Sequence, residues 1–174
     1  AVRIECLQGV ALSLAILEVR QGYGRDALQA LDAYRREVPE CAWADAIRPL
    51  VERRARIENT LDPVQRDGVD LHHPPDMEPA EVLRIHHTVI GALDEAAELL
   101  GGPRRPALNV FVYGSRSAFR QATCGSSWTA AMFDGSLRIA RPTIGAPSER
   151  DVLRHESLHA QLRFAAPSAP LWFH

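Results

Sequence analysis

The chain has 174 residues, 46% of them apolar and 24% charged, with a formal charge of -2 and a pI of about 6.4. That balance supports a real core and excludes collagen-like, mucin-like and largely disordered chains. No basic excess exists to hold a phosphate backbone, so no nucleic-acid partner is expected. All 20 basic residues are Arg, which excludes a Lys Schiff base, a Lys nucleophile and a P-loop Lys. Cys6, Cys41 and Cys124 are odd in number and far apart. They suggest reduced or buried thiols, not a disulfide framework or zinc ribbon. No apolar run approaches the ~20 residues that span a bilayer, so no membrane partner is expected. Val10 to Leu17, framed by Glu5, Gln8 and Glu18, reads as a helix and not a signal peptide. The chain starts at Ala1 without Met, so the natural N-terminus is expected to be missing. The compartment stays open, with the cytoplasm favoured.

Residues 2–60 read as helical. Val10, Leu14 and Leu17 recur at helical spacing until Gly22-Tyr23-Gly24 breaks the pattern. A second helix carries Ala27, Leu28, Leu31 and Tyr34 on one face and ends before Pro39. A third runs from Cys41 to about Asn59, with Trp43, Ile47, Leu50 and Val51 apolar. The first two helices resemble one tetratricopeptide (TPR) repeat. Ala15, Gly22, Ala27, Leu31, Tyr34 and Pro39 sit at the offsets that repeat uses for small contacts, turn, packing and terminal Pro. Any helical hairpin is the plain alternative. One repeat cannot bury its own face, so it must lean on a neighbour. The resemblance implies a protein partner for these helices.

Residues 61–78 hold three Pro, one Gly and many charges, and read as a linker with a short strand at Val69 to Leu71. A helix follows from Pro79 to about Leu100, where Gly101-Gly102-Pro103 stops it. Ala107 to Tyr113 is a β-prone run, and Ser115 to Thr123 a short helix. Trp128 to Phe133, Asp134-Gly135 and Ser136 to Ala140 read as a hairpin. Ser148 opens the last long helix, with Asp151 at a capping-box spacing. It runs to about Phe164, before Pro167 and Pro170.

On that helix stands His155-Glu156-Ser157-Leu158-His159, an HExxH motif. Two His at i and i+4 share one face, so both imidazoles can reach a single ion, Zn2+ above all. Glu156 lies one position round, where a carboxylate can act as general base and then general acid. Val152 and Leu162 extend the His stripe, which places it on or beside the buried side.

With its surroundings the motif resembles gluzincin-type zinc metallopeptidases, the thermolysin-like clan with its peptidase MA-like domains. The shared features are the hairpin Ala130 to Ala140 before HExxH, the strand-helix unit NVFVYGSRSAFRQATCG and the later PLWFH, Pro170 to His174. The resemblance covers about residues 80–174. It implies hydrolysis of peptide bonds in a peptide or protein substrate, with His155 and His159 on zinc and Glu156 catalytic. It also implies that Ala130, Ala131 and Met132 lie in an edge strand that binds the substrate. In the family a Glu just after the PLWFH-like stretch is the third ligand. Here no Asp or Glu follows His159. The expectation is a chain truncated, clipped or disordered just past His174, with His174 itself the other candidate ligand.

The other tempting residues read as structural. His72-His73 is a surface loop beside Pro74-Pro75. One of His86-His87 is a core or boundary histidine, Asp151 a cap, Cys124 an idle thiol and Trp172 a packing anchor. The expected fold class is α+β: a helical N-terminal part, a TPR-like hairpin plus helix, followed by a small mixed β-sheet packed on the HExxH helix. The expected division is 1–60 TPR-like, 61–78 linker, and 79–174 the N-terminal lobe of the peptidase domain, incomplete at its C-terminus. The competing function is a TPR-like protein-binding module carrying an inactive or incomplete peptidase-like half.

Overall fold

A computed structural model describes residues 24–100 and 107–166. The fold class is α+β. In chain order the elements are α1 (Gly24–Glu37), α2 (Ala42–Glu58), β1 (Asp62–Arg66), β2 (Val69–His73), α3 (Pro79–Leu100), β3 (Leu108–Tyr113), α4 (Arg116–Thr123), β4 (Ala131–Phe133), β5 (Leu137–Ala140), a 3-10 turn (Arg141–Thr143) and α5 (Glu149–Ala165). The first helix expected from the sequence lies outside the described residues, as do Gly101-Gly102-Pro103 and the PLWFH segment with Trp172 and His174.

The sheet has the order β1-β2-β3-β5-β4. Both outer pairs, β1 with β2 and β4 with β5, are antiparallel; the inner pairs are parallel. Strand alternation then separates two faces. Val69, Leu71, Leu108, Val110, Val112, Leu137 and Ile139 turn to one face and pack with Ile85, Val89 and Leu93 of α3 and Leu153 and Ala160 of α5. Phe111, Tyr113 and Ala140 turn to the other and meet Phe119 and Ala122 of α4 and Ile57 of α2. In front of α2 lies α1, whose Ala27, Leu31 and Tyr34 recur at helical spacing and are buried against it. Gly24 starts α1 so close to α2 that a Cβ there would stand 2.4 Å from the Ala55 Cα.

Residues 61–78 are not a linker through most of their length: β1 and β2 form a hairpin within them. Asp67 (φ 50) and Gly68 (φ 80) both take the left-handed conformation, which is the two-residue turn that matches strand twist. His72 and His73 are consequently buried strand residues and not a surface loop. His72 stacks on Phe111 of the next strand, with centroids 4.9 Å apart. His86 is the core histidine of its pair, its Nε2 2.9 Å from the Arg66 carbonyl oxygen.

The strand expected over 128–133 is shorter. Residues 126–129 close a turn (Thr129 N–H to the Ser126 carbonyl, 3.1 Å), so Trp128 stands 81% exposed outside the ladder. The hairpin at Asp134-Gly135 forms as expected, with Gly135 at φ 114. Ser148 makes no side-chain cap bond because its backbone is already helical, where a capping residue needs extended geometry. Asp151 is exposed. Glu149 holds this end instead, accepting from Gly145 N–H at 2.5 Å and from Arg84 at 2.8 and 2.9 Å. Cys124 is an exposed thiol at the left-handed C-cap of α4.

Candidate metal centre

The HExxH motif occupies the middle of α5. That helix buries Leu153, Ser157, Ala160 and Gln161 under the sheet. Ser157 of the motif faces the core, and the three chemistry-bearing residues lie round from it: His155 is exposed, and Glu156 and His159 are half-buried. The rings of His155 and His159 meet edge to face, and their Nε2 atoms are 3.1 Å apart. Two zinc–nitrogen bonds of about 2.0–2.1 Å at a tetrahedral angle place the two nitrogens about 3.3 Å apart, so the pair fits a shared zinc. Two neutral imidazoles with lone pairs turned on each other repel. The arrangement is satisfied either by a metal ion between the two nitrogens or by an ordinary hydrogen bond, in which the tautomer with Nε2–H on one ring donates to the Nε2 lone pair of the other. Among the described residues no group of three or more His, Cys, Asp or Glu forms around a common point.

Glu156 lies beneath β4. Burial pushes its carboxyl above the usual carboxylate range; the charge of His155 and the backbone N–H of Phe133 pull the other way. The Phe133 contact follows from the strand ladder. Ala140 N–H donates to the Ala130 carbonyl at 2.9 Å, and Asp134 N–H donates to the Ser136 carbonyl at 3.2 Å. With the register Ala131 to Ile139 and Phe133 to Leu137, alternation pairs Ala130, Met132 and Asp134 with β5. It turns the backbone groups of Ala131 and Phe133 away from β5, toward the sheet's rim.

The outward-facing backbone of this strand is therefore offset by one residue from the expected stretch Ala130 to Met132. The Ala130 carbonyl is taken by Ala140 N–H and by the Thr143 hydroxyl at 3.3 Å, and Met132 belongs to the β5 ladder. Of the three expected residues, Ala131 alone turns its backbone outward, and it is only 5% exposed. Access along the rim narrows to the half-buried Phe133. Phe133 was legible in principle, by counting back from the Asp-Gly turn with period 2.

Behind the hairpin lies a cluster the motifs do not announce. Arg138 of β5 is 0% exposed. Its Nε donates to both Asp134 oxygens (3.1 and 3.0 Å) and its Nη1 to Glu58 (2.5 Å) and the Tyr113 hydroxyl (2.8 Å), while its guanidinium lies 4.7 Å from the Phe111 ring centre. Arg54 donates to the Ala122 carbonyl (3.0 Å) and to Asp134 (3.2 Å). Burial pushes the Arg138 pKa down, but Asp134, Tyr113 and Glu58 push it further up, so it stays charged. Burial and the like charge of Arg138 lower the Arg54 pKa. Burial raises that of the Tyr113 hydroxyl.

Among the described residues no helix is long and apolar enough to cross a membrane. No protein-family model matches the chain, and no curated protein or solved structure does either.

Proposed function

We propose that this chain carries the metal-binding part of a zinc-dependent metallopeptidase of the gluzincin type. The observation that carries the reading is the convergence of His155 Nε2 and His159 Nε2 at 3.1 Å on the helix whose Glu156 lies under the strand at the sheet's rim. A zinc ion held there would supply Lewis acidity to the scissile carbonyl and to water. The chain's own residues do the rest. His155 and His159 would hold the ion. Glu156 takes the proton from the attacking water and delivers it to the leaving amine. The outward-turned backbone of Phe133 receives an extended peptide by strand addition.

Glu156→Gln in the full-length protein tests this reading. It leaves both imidazoles in place and removes the proton carrier, so bound zinc should persist while peptide hydrolysis falls by at least about 100-fold. Undiminished hydrolysis in that variant refutes the mechanism.

A second reading has one observation in its favour: two ligands converge among the described residues, and a catalytic zinc takes three from protein. In it the helices α1 and α2 bind a protein partner, and the peptidase-like half is an inactive scaffold. Stoichiometric zinc on the full-length protein favours the enzyme; none under metal-replete conditions favours the module.

A further inference from the structure

The helical N-terminal part and the hairpin at the metal centre share one set of buried charges. Glu58, at the end of α2, accepts from three separate elements: Gly24 N–H of α1 at 2.8 Å, the Tyr113 hydroxyl of β3 at 2.8 Å and Arg138 of β5 at 2.5 Å. Arg54, one turn earlier on α2, reaches Asp134. Asp134 is the first residue of the β4–β5 turn and the neighbour of Phe133. It also accepts from Ser136 N–H at 3.3 Å, closing the turn on itself. Arg54, Glu58, Asp134 and Arg138 make two cations and two anions, all withdrawn from water except a partly exposed Asp134. Partners removed from water cannot exchange them for solvent, so each fixes the others.

A turn can be held by its own Asp-Gly chemistry, and this hairpin has that. The second tie, from α2, is not needed to make a turn. What it adds is a fixed position of β4 relative to the helices. We propose that Asp134 is a positioning residue: through Arg54 and Arg138, helix α2 sets the β4 strand and hence the Phe133 backbone beside Glu156. The N-terminal helices therefore control how a peptide seats at the rim. The coupling from α2 to β4 stands on the geometry alone; its use in seating substrate rests on the peptidase reading.

The test uses the full-length protein with Arg54→Met, Arg54→Lys and the milder Asp134→Asn, which keeps the shape and the Ser136 contact. Amide hydrogen exchange is read residue by residue. In Arg54→Met and Asp134→Asn, the Met132 and Asp134 amides should exchange at least about tenfold faster while Leu93 of α3 and Leu153 of α5 keep their protection. Arg54→Lys should restore most of the difference. Unchanged β4 protection overturns the coupling. So does an equal acceleration everywhere, because that is what mere loss of stability produces. The second arm is peptide hydrolysis. Asp134→Asn should raise KM about tenfold with kcat within about twofold; a fall in kcat at unchanged KM overturns the seating role. If the wild-type protein shows no hydrolysis, the peptidase reading and the seating role fall together, and the exchange data alone decide the coupling.

Discussion

The two faces of the sheet are built by different physics. The face toward α3 and α5 is held mainly by apolar packing, Val69, Leu71, Val110, Val112, Leu137 and Ile139 against Ile85, Val89, Leu93 and Leu153, with Ser157, Gln161 and His86 as buried polar exceptions. Its cohesion is non-directional and spread over many contacts. The face toward α2 and α4 mixes Phe111 and Phe119 with Arg138, Glu58, Tyr113 and His72. Its cohesion depends on a few charges in fixed geometry. The first kind tolerates repacking. The second specifies one arrangement and fails sharply when one partner is lost. The HExxH helix belongs to the apolar face, and the hairpin bridges both.

The sharpest way to break this contrast is Arg138→Met. It leaves Glu58 and Asp134 with a cation fewer in a buried site, and should cost about 3–5 kcal/mol. Adding Glu58→Leu should recover part of that loss, since a buried charge no longer stands uncompensated. Urea unfolding of the single and double variants checks both. A cost under about 1 kcal/mol for Arg138→Met would show that the charged cluster holds little.

On the apolar face, Leu153→Ala removes a side chain that is 0% exposed and should cost about 2–5 kcal/mol. A double variant with Leu93→Ala should approach additivity unless the two cavities merge, and the same unfolding curves decide it.

Much of this architecture was legible in the chain. The apolar spacing in α2 and α3, the β-prone run of β3 and the Asp-Gly turn before HExxH are local signals, and local signals survive in a sequence. The strand β1 was not read because Asp62-Pro63-Val64-Gln65-Arg66 shows no alternation and all five residues are exposed. The overlooked cue was Asp67-Gly68, the same dipeptide that marks the second hairpin. Pro63 then makes sense as protection for that outer strand: the two-residue turn pairs Arg66 and Val64 with β2 and turns Pro63 outward, where it offers no N–H to another chain. The approach of His155 to His159 was legible because residues four apart share one helix face. The Glu58 to Arg138 pair spans 80 residues, and no periodicity announces such a contact. Reading Asp134 as a turn residue caught half its role.

Smaller effects sharpen the picture of the charged face. Ser115 caps α4, accepting from Ala118 N–H at 3.0 Å. Ser115→Ala should cost about 1 kcal/mol, measured by thermal or urea unfolding. His72 gives the mildest effect. Burial lowers its pKa from the ordinary 6.5, only partly opposed by Asp70 at 3.4 Å. A depressed histidine binds its proton more readily when unfolded. Stability is therefore fully present above pH 6.5 and declines as pH falls toward the folded-state value. His72→Gln should flatten that part of the stability-against-pH curve; an unchanged slope would assign it to other groups.

The central claim is that His155 and His159 converge for a metal ion and not merely for a hydrogen bond between the two rings. Anomalous diffraction at the zinc edge, on crystals of the full-length protein grown with zinc, tests it most directly. The account predicts a single zinc within about 2.0–2.1 Å of both Nε2 atoms, completed by at least one further protein ligand. A zinc-replete crystal with no anomalous peak between the two imidazoles would contradict it.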